Sequence, residues 1–298
     1  MATDRSTFDA LVARAVAVPG RERMRPVIEK ELLHYDILFA LDAESLLDGL
    51  TFQGGTALRL CHGAERFSED LDFAGGPTFD AGDLAPMKGC IERWVGERYG
   101  LPVEVKEPAR LGDGPGRGGV RVDRWQIAVT VAPARRDVPK QRVRLEVANV
   151  PARSRRPMPL VANHGFLPDG YADTLVFVES LEEIMADKIV SLVATTRYPR
   201  YRDLWDLRWL RRRGASPNAT WVADKIDDYG VRNWEDKREA LLGRLPGLVH
   251  DGTFAGEMSR FLPDEVVTRT LARQAFLASL EDELRALFDE LDAGRSDD

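Results

Sequence analysis

Two neighbouring stretches organise this chain: Phe52-Gln-Gly-Gly-Thr-Ala-Leu58 and Arg66-Phe-Ser-Glu-Asp-Leu-Asp-Phe73. In the second stretch Asp70 and Asp72 alternate with apolar residues, a pattern typical of a strand, in which residues i and i+2 share one face. Two carboxylates on the same side repel each other, so we expect a cation between them. Mg2+ is the usual hard cation for oxygen ligands. The stretch therefore predicts a metal-dependent site acting on a phosphate-bearing substrate.

The first stretch predicts a tight turn from a short strand into a helix. Gly54 and Gly55 allow a phosphate to approach backbone N–H groups, and the helix N-terminus that follows favours an anion. A Gly-Gly-Thr sequence ending at Thr56 is by itself more often a plain turn, and here it gains meaning from the Asp-x-Asp strand that follows. Arg66 and Ser68, just before the aspartates, are candidates for binding phosphate oxygens through charge and a hydroxyl.

A two-metal site for phosphoryl or nucleotidyl transfer commonly uses a third carboxylate on a neighbouring strand. The sequence Val143-Arg-Leu-Glu-Val147 alternates as such a strand, with Glu146 on the face opposite its apolar residues. Glu146 is therefore the first candidate, and Asp123, on the preceding predicted strand, is the competitor. Either residue is also explained as a solvent-exposed acid on a strand.

The helix predicted from Leu181 to Thr195 carries a lysine within its apolar stripe. A lysine on a buried face needs an anionic partner, so Lys188 is a candidate ligand for the phosphate of a nucleotide. An internal carboxylate would serve equally well. The segment Arg202-Asp-Leu-Trp-Asp-Leu207 offers Asp203 and Asp206 three residues apart on one helical face, so an ion pair between two helices remains the alternative.

Hydrophobic periodicity divides the chain into three parts. These parts are a helical N-terminal cap over residues 1–50, an α/β core over residues 51–180 and a helical C-terminal domain over residues 181–298. Strands are predicted over residues 67–73, 101–105, 120–131, 141–150 and 174–178. Three further segments are predicted as a Gly/Pro-rich loop (residues 108–119), as irregular (residues 152–170) and as helical (residues 264–292).

The composition is that of a globular protein, with 44% hydrophobic and 31% charged residues among 298. A net charge of −7 argues against a protein that coats nucleic acid without specificity, although it leaves room for a local basic surface. We see no signal peptide and no apolar run long enough to span a bilayer, so the expected location is the cytoplasm. Basic residues cluster at residues 135–144, 153–156 and 197–213, and a solvated face is the usual explanation of such runs.

Three motifs, in this order, closely resemble the AbiEii/AbiGii toxin family. They are Phe52-Gln-Gly-Gly-Thr-Ala-Leu-Arg59, Arg66-Phe-Ser-Glu-Asp-Leu-Asp-Phe73, and Ala186-Asp-Lys188 followed by Arg202-Asp-Leu-Trp-Asp-Leu207. The resemblance is concentrated between Phe52 and Leu210, roughly half of the chain. It implies an α+β fold with a nucleotidyltransferase core of the DNA polymerase β type, a mixed or antiparallel sheet with flanking helices, and a helical C-terminal domain.

The resemblance also implies a role for each matching nucleotide-binding position. Gly54, Gly55 and Thr56 would hold the triphosphate of a nucleoside triphosphate. Lys188 would contact a nucleotide phosphate.

The remaining matching positions would be metal ligands or acids. Asp70 and Asp72 would bind Mg2+, or Mn2+ in its place, and Asp203 would be an essential acid in the C-terminal half. The third acid of the family is commonly an aspartate, and this chain has Glu146 at the corresponding strand.

The expected function is therefore that of a toxin of a toxin–antitoxin or abortive-infection system that transfers a nucleoside monophosphate to an acceptor. Some relatives add nucleotides to the acceptor end of tRNA, so tRNA is the expected acceptor and a block of translation and growth the expected effect. The expected partner is a cognate antitoxin, a winged-helix protein of the AbiEi type. Two alternatives stay open: a kinase-like phosphoryl transfer to a protein, and a regulatory module that binds a nucleotide without turnover.

Overall fold

The computed structural model describes residues 7–108, 119–135, 137–168 and 170–296. The chain divides into two compact units, Met1–Val178 and Glu179–Asp298. The loop predicted over residues 108–119 lies almost wholly outside the described residues, as does Arg136 of the first basic segment. Within the described residues, no helix is both long and apolar enough to cross a membrane.

The first unit is a mixed sheet with flanking helices, which confirms the predicted α+β class. Its elements in chain order are α1 (Phe8–Val16), α2 (Arg25–Ala43), β1 (Thr51–Gln53), α3 (Gly54–Leu60), β2 (Leu71–Ala74), a 3-10 turn (Ala81–Leu84), α4 (Met87–Tyr99), β3 (Val103–Lys106), β4 (Val122–Val129), β5 (Gln141–Ala148), β6 (Arg156–Pro159) and β7 (Leu175–Val178). In the described part of the chain, seven strands form one sheet in the order β3-β4-β5-β2-β1-β7-β6. β2 runs parallel to β5 and β1 runs parallel to β7, while the other neighbours are antiparallel.

Alternation of side chains decides which face of β4 and β5 is buried. Trp125 and Ile127 of β4, and Val143 and Leu145 of β5, are fully buried. The helix α2 packs against both β5 and α4. The residues between these apolar positions are mostly exposed or half-buried. This end of the sheet therefore has one apolar core face and one open polar face, as antiparallel sheets commonly do.

The strand predicted over residues 67–73 is shorter in the structure, because β2 begins only at Leu71. The preceding residues form a loop whose carbonyls are bonded to side chains. Thr56 donates its hydroxyl to the carbonyl of Asp70, and the His34 ring contacts the carbonyl of Glu69 at 3.0 Å.

The segment predicted as irregular over residues 152–170 contains a strand, so that prediction is wrong for β6. Pro157 and Pro159 argue against a strand in the sequence, since proline has no N–H to donate to the hydrogen-bond ladder of a sheet. β6 is the last strand of the sheet and pairs only with β7, in antiparallel register. An edge position of this kind tolerates proline because one side of the strand needs no partner.

The second unit is helical in its described residues. Its helices are α5 (Leu181–Ala194), α6 (Tyr201–Arg212), α7 (Ala219–Asp228), α8 (Trp234–His250), α9 (Thr253–Met258), α10 (Asp264–Arg269) and α11 (Gln274–Ser296). The helix predicted over residues 264–292 is thus two helices. The break follows Arg269, where α10 ends and Thr270 has a non-helical backbone with φ −125° and ψ −85°.

A fully buried lysine ties α5 to α7 in this unit. Lys225 forms ion pairs with Glu179, Glu183 and Asp187 at 3.2, 3.0 and 3.0 Å. Burial raises the pKa of both Glu179 and Asp187, although Lys225 opposes the shift. A single buried cation among three acids is a structural core feature that periodicity alone does not predict, since the lysine reads as an ordinary surface residue of an amphipathic helix.

The helix α2 anchors the loop that precedes β2. Glu31 accepts two hydrogen bonds from Arg59 of α3, at 2.6 and 3.1 Å, and Arg59 also donates to the carbonyl of Ala64 at 2.9 Å. Burial would raise the pKa of the Glu31 carboxyl, but Arg59 and His164 outweigh it and lower that pKa to about 2. The N-terminal helices therefore do more than cover the sheet, because they hold α3 and the loop before Asp70 in place.

Replacing Glu31 tests this anchor. We expect Glu31→Gln to lower the free energy of unfolding at pH 7 by about 3 kcal/mol, because Arg59 keeps a buried charge without its partner. The folded-state pKa of Glu31 lies below its ordinary value of 4.5, so the carboxylate stabilises the fold above that pH and stops doing so as the pH falls toward about 2. Urea unfolding between pH 7 and pH 3.5 should show the difference from the unmodified protein shrink at the acid end.

The control for this experiment is Glu97→Gln, which changes an exposed acid on α4. That variant should match the unmodified protein at every pH. A Glu31→Gln variant as stable as Glu97→Gln at pH 7 would contradict the anchoring role.

Candidate active site

Gly54 and Gly55, at the start of α3, lie directly against three predicted site residues. Gly54 has a φ of +76°, and a Cβ there would lie 2.8 Å from Oδ2 of Asp72. A Cβ on Gly55 would lie 2.3 Å from Nη2 of Arg66 and 3.0 Å from Oγ of Ser68. A side chain at either position would displace groups that the motif brings together, and Gly54 also has the positive φ that favours glycine.

The Thr56 side chain is bonded to the backbone just before β2. Its hydroxyl is buried and is bonded to the carbonyl of Asp70, so it positions the backbone before β2. Arg66 is also buried and donates to the carbonyl of Phe67 at 2.7 Å. Its guanidinium group lies beside Gly55, which places a positive charge at the start of α3.

The three predicted metal ligands share the open face of the sheet. Asp72 of β2 and Glu146 of β5 are direct neighbours in parallel register, and Gln53 of β1 lies on the other side of Asp72. Asp70 precedes Asp72 by two residues and lies in line with Arg144 of β5. The register therefore sets Asp72 and Glu146 side by side. Asp70 lies two residues before Asp72, toward the same face.

Each of two acids in this group is bound by an arginine. Arg144 donates to both carboxylate oxygens of Asp70, at 2.6 and 3.2 Å, and this contact raises the pKa of the Arg144 guanidinium. Arg124 of β4 lies opposite Glu146 and donates to it at 2.6 Å. These two ion pairs neutralise part of the negative charge that the register concentrates here.

Glu146 and Asp123, the two candidates for the third carboxylate, lie on opposite faces of the sheet. Asp123 is buried on the same side of β4 as Trp125, which is the face opposite Glu146. Its carboxylate accepts a hydrogen bond from Arg121 at 2.8 Å. Asp123 is therefore on the wrong face to join Asp70 and Asp72.

The donor set suits a hard cation in its chemistry and in its placement on the sheet, since Mg2+ prefers carboxylate oxygens. As the side chains stand, no group of three His, Cys, Asp or Glu residues within the described part of the chain is arranged to hold a metal ion. Arginines engage the carboxylates of two of the predicted ligands, Asp70 and Glu146. Asp70, Asp72 and Glu146 are the residues that would hold the ion.

Lys188 of the second unit is paired with internal acids. Its ammonium group lies 2.8 Å from Asp203 and 2.9 Å from Asp206 of α6, and Arg200 contacts Asp203 at 2.6 Å. Burial raises the pKa of the Asp203 carboxyl, but Lys188 and Arg200 outweigh it and lower that pKa. The predicted alternative of an ion pair between two helices is thus present in the structure.

The basic segment over residues 197–213 is partly neutralised by acids of α11. Arg208 contacts Glu283 at 3.0 Å and Arg211 contacts Glu290 at 2.6 Å. On the open sheet face the situation differs: Arg142 of β5 and Lys106 of β3 form no ion pair with any residue that the structure describes.

Two residues that contribute to the site or its support were not identified from the sequence, although the sequence contains a pattern that points to each. Arg124 follows from the alternation of β4, by the same reasoning that selected Glu146 on β5. Glu31 is a charge within the apolar stripe of a helix, the criterion that selected Lys188.

Comparison with known proteins agrees with this architecture. A family model described as the nucleotidyl transferase AbiEii toxin of type IV toxin–antitoxin systems matches residues 36–293. A search of the curated proteins gave no match. Among solved structures, MenT4, a nucleotidyltransferase toxin from Mycobacterium tuberculosis, is similar with a TM-score of 0.55 and 20% identity, covering 95% of this chain and 90% of that one.

Two Helicobacter pylori structures are also similar. JHP933 has a TM-score of 0.42 and 16% identity, with coverage of 91% of this chain and 95% of its own. A second structure, titled as a nucleotidyltransferase, has a TM-score of 0.45 and 17% identity, with coverage of 90% and 96%.

The likeness to MenT4 concerns the fold, while the family model covers both the glycine turn and the acids of the open face. Because that model spans most of the sequence, the chain belongs to the AbiEii nucleotidyltransferase toxin family of type IV toxin–antitoxin systems.

Proposed function

We propose that this nucleotidyltransferase toxin transfers a nucleoside monophosphate from a nucleoside triphosphate to tRNA, with Mg2+ held by Asp70, Asp72 and Glu146. The observation that supports this most directly is the register of β2 with β5, which sets Asp72 beside Glu146. Asp70 lies on the same open face, and the turn at Gly54 brings the backbone of α3 against the Asp72 carboxylate. Carboxylates and a backbone turn in this arrangement suit a metal-bound triphosphate.

In the proposed reaction, a hydroxyl oxygen of the acceptor forms a bond to the α-phosphorus, the bond from that phosphorus to the bridging oxygen breaks, and pyrophosphate leaves. The hydroxyl proton passes to water. Bound Mg2+ supplies positive charge that neutralises the phosphates and lowers the pKa of the attacking hydroxyl. Within the chain, Asp70, Asp72 and Glu146 supply the oxygen ligands, Gly55 leaves room for phosphate, and Arg66 and Ser68 offer donors beside it.

The open sheet face supports an RNA acceptor. Arg142 and Lys106 lie on the same face as Glu146 by the register of β3, β4 and β5, and both side chains are exposed. Lysine and arginine bind the phosphates of nucleic acids without reading their sequence. The arginines of α6 are weaker candidates, because acids of α11 already pair with Arg208 and Arg211.

Membership of a type IV system implies an antitoxin partner. We propose that this partner is a winged-helix protein of the AbiEi type and that the toxin acts in the cytoplasm. There it would arrest translation and growth, and so limit phage infection.

Removing a proposed metal ligand tests the reaction. Asp72→Asn should reduce transfer of α-labelled nucleotide to total tRNA by about two orders of magnitude or more, the scale expected when one strong electrostatic contribution to the transition state is lost. Growth arrest on expression should be lost in parallel. Label transfer with each of the four α-labelled triphosphates is the measurement, and unchanged toxicity of Asp72→Asn would contradict the proposal.

The same assay separates the two candidates for the third ligand and the alternative chemistry. Glu146→Gln should lose transfer, whereas a folded Asp123→Asn variant should retain it, because Asp123 lies on the other face of the sheet. Transfer of γ-label with no transfer of α-label would instead indicate a phosphoryl transfer, as in a kinase.

A pair of glycine variants tests the close approach at the turn. Gly54 and Gly63 both have positive φ, of +76° and +73°, but only a Cβ on Gly54 meets another group, the Asp72 carboxylate. We expect Gly54→Ala and Gly63→Ala to lose a similar stability of about 1 kcal/mol from backbone strain. Only Gly54→Ala should lose nucleotide transfer, and equal transfer in the two variants would show that the contact with Asp72 does not matter.

To test whether Lys188 binds a nucleotide, the measured property must be one that loss of its ion pair alone would not change. Lys188→Met and Asp206→Asn both weaken the contact between α5 and α6, so both should lower the melting temperature. If Lys188 binds a nucleotide phosphate, calorimetry should show binding of a triphosphate weakened by about tenfold in Lys188→Met, equivalent to one charged contact, and nearly unchanged in Asp206→Asn. Equal binding in both variants would leave Lys188 with its structural role alone.

A further inference from the structure

In both arginine contacts at the carboxylate group, the arginine is more exposed than the acid that it binds. Side chains of Arg144 and Arg124 are 47% and 55% exposed, while those of Asp70 and Glu146 are only 17% and 22% exposed. Each arginine therefore lies on the solvent side of the acid that it binds. A ligand that approaches the acids from the open face meets the guanidinium groups first.

The contacts are placed by the sheet itself. Arg144 and Asp70 each come one residue before the first paired residues of β5 and β2, Leu145 and Leu71, and Arg144 binds Asp70 there. Arg124 lies opposite Glu146 on β4 in antiparallel register. Both arginines thus belong to the same open face as the three acids, and neither can leave that face without a shift of register.

These ion pairs can be exchanged at little cost. An ion pair that is exposed to solvent contributes only about 0–1 kcal/mol. A guanidinium group also matches phosphate as well as it matches carboxylate, in both cases through two parallel N–H donors. A triphosphate that brings its own cation would give the acids a new counterion and the arginines a new anion, so no charge would be left unpaired.

We propose that Arg144 and Arg124 are ligands of the nucleotide triphosphate, held by Asp70 and Glu146 until the metal-bound nucleotide takes their place. The inference rests on the proposed function, since it assumes that the acids hold a cation. It adds two substrate contacts to the site and explains why the acids are not arranged around a metal position in the protein alone. The exchange occurs by rotation of the exposed arginine side chains, with no change in the strands.

The proposal predicts opposite changes in two affinities when Arg144 is replaced. Arg144→Met frees Asp70, so the full-length protein without nucleotide should bind Mn2+ more tightly, by about three- to tenfold, the equivalent of one exposed ion pair. The same variant should bind tripolyphosphate, in the presence of Mg2+, about tenfold more weakly. Arg144→Lys keeps the charge but lacks the paired donors, so its affinity for tripolyphosphate should be intermediate. Tripolyphosphate is used because it carries the phosphates without a base.

Arg142→Met is the matched control. Arg142 lies two residues before Arg144, on the same strand and the same face, and forms no ion pair with any described residue. This variant should leave Mn2+ affinity unchanged. Titration calorimetry gives both affinities, and the Asp72→Asn variant establishes whether Mn2+ binds at the proposed ligands.

The outcomes separate this inference from the function on which it rests. Mn2+ binding that is lost in Asp72→Asn but is the same in Arg144→Met and the unmodified protein would overturn the exchange and leave the metal site intact. Unchanged tripolyphosphate affinity in Arg144→Met would also overturn it. Failure of Mn2+ to bind either the unmodified protein or Arg144→Met would overturn the metal site of the proposed function, and the exchange with it.

Discussion

Repulsion among Asp70, Asp72 and Glu146 is the constraint on which the rest of the site depends. Parallel register between β2 and β5 forces acids into neighbouring positions on one face, and like charges this close require positive charge nearby. In the protein alone that charge comes from Arg144 and Arg124. The counterions of these acids are thus carried by β5 and by its neighbour β4.

A second constraint is the close approach of backbone and side chains at the glycine turn. A Cβ at residue 54 or 55 would crowd Asp72 or Arg66, and the positive φ of Gly54 adds a backbone reason for glycine there. Two residues of α2 support this turn. Glu31 binds Arg59 of α3, and the His34 ring contacts the carbonyl of Glu69 in the loop before β2. Burial lowers the pKa of His34 to about 4, so at neutral pH the ring is uncharged and adds no charge to the loop.

Charge in the second unit is organised differently. Lysines there are surrounded by internal acids, as Lys188 is by Asp203 and Asp206 and Lys225 is by three carboxylates. Arginines of α6 are paired with acids of α11. These two buried lysines and the arginines that face α11 are thus paired within the unit, whereas the open face of the first unit keeps Arg142 and Lys106 without an ion-pair partner among the described residues. The chain therefore has a local basic surface although its net charge is negative.

A family resemblance implied the α+β class. From local spacing, the sequence itself predicted the glycine turn, the pair of aspartates and Glu146 as the first candidate for the third acid, through alternation in strands and the special backbone of glycine. It also indicated that Lys188 needs an anionic partner. Tertiary structure was needed to decide between Glu146 and Asp123, since only strand pairing shows which residues share a face. It also revealed β6, hidden by its prolines at the sheet edge, and the arginine that holds each acid. Those facts depend on the order and register of strands far apart in the chain, and local periodicity carries no information about which strands become neighbours.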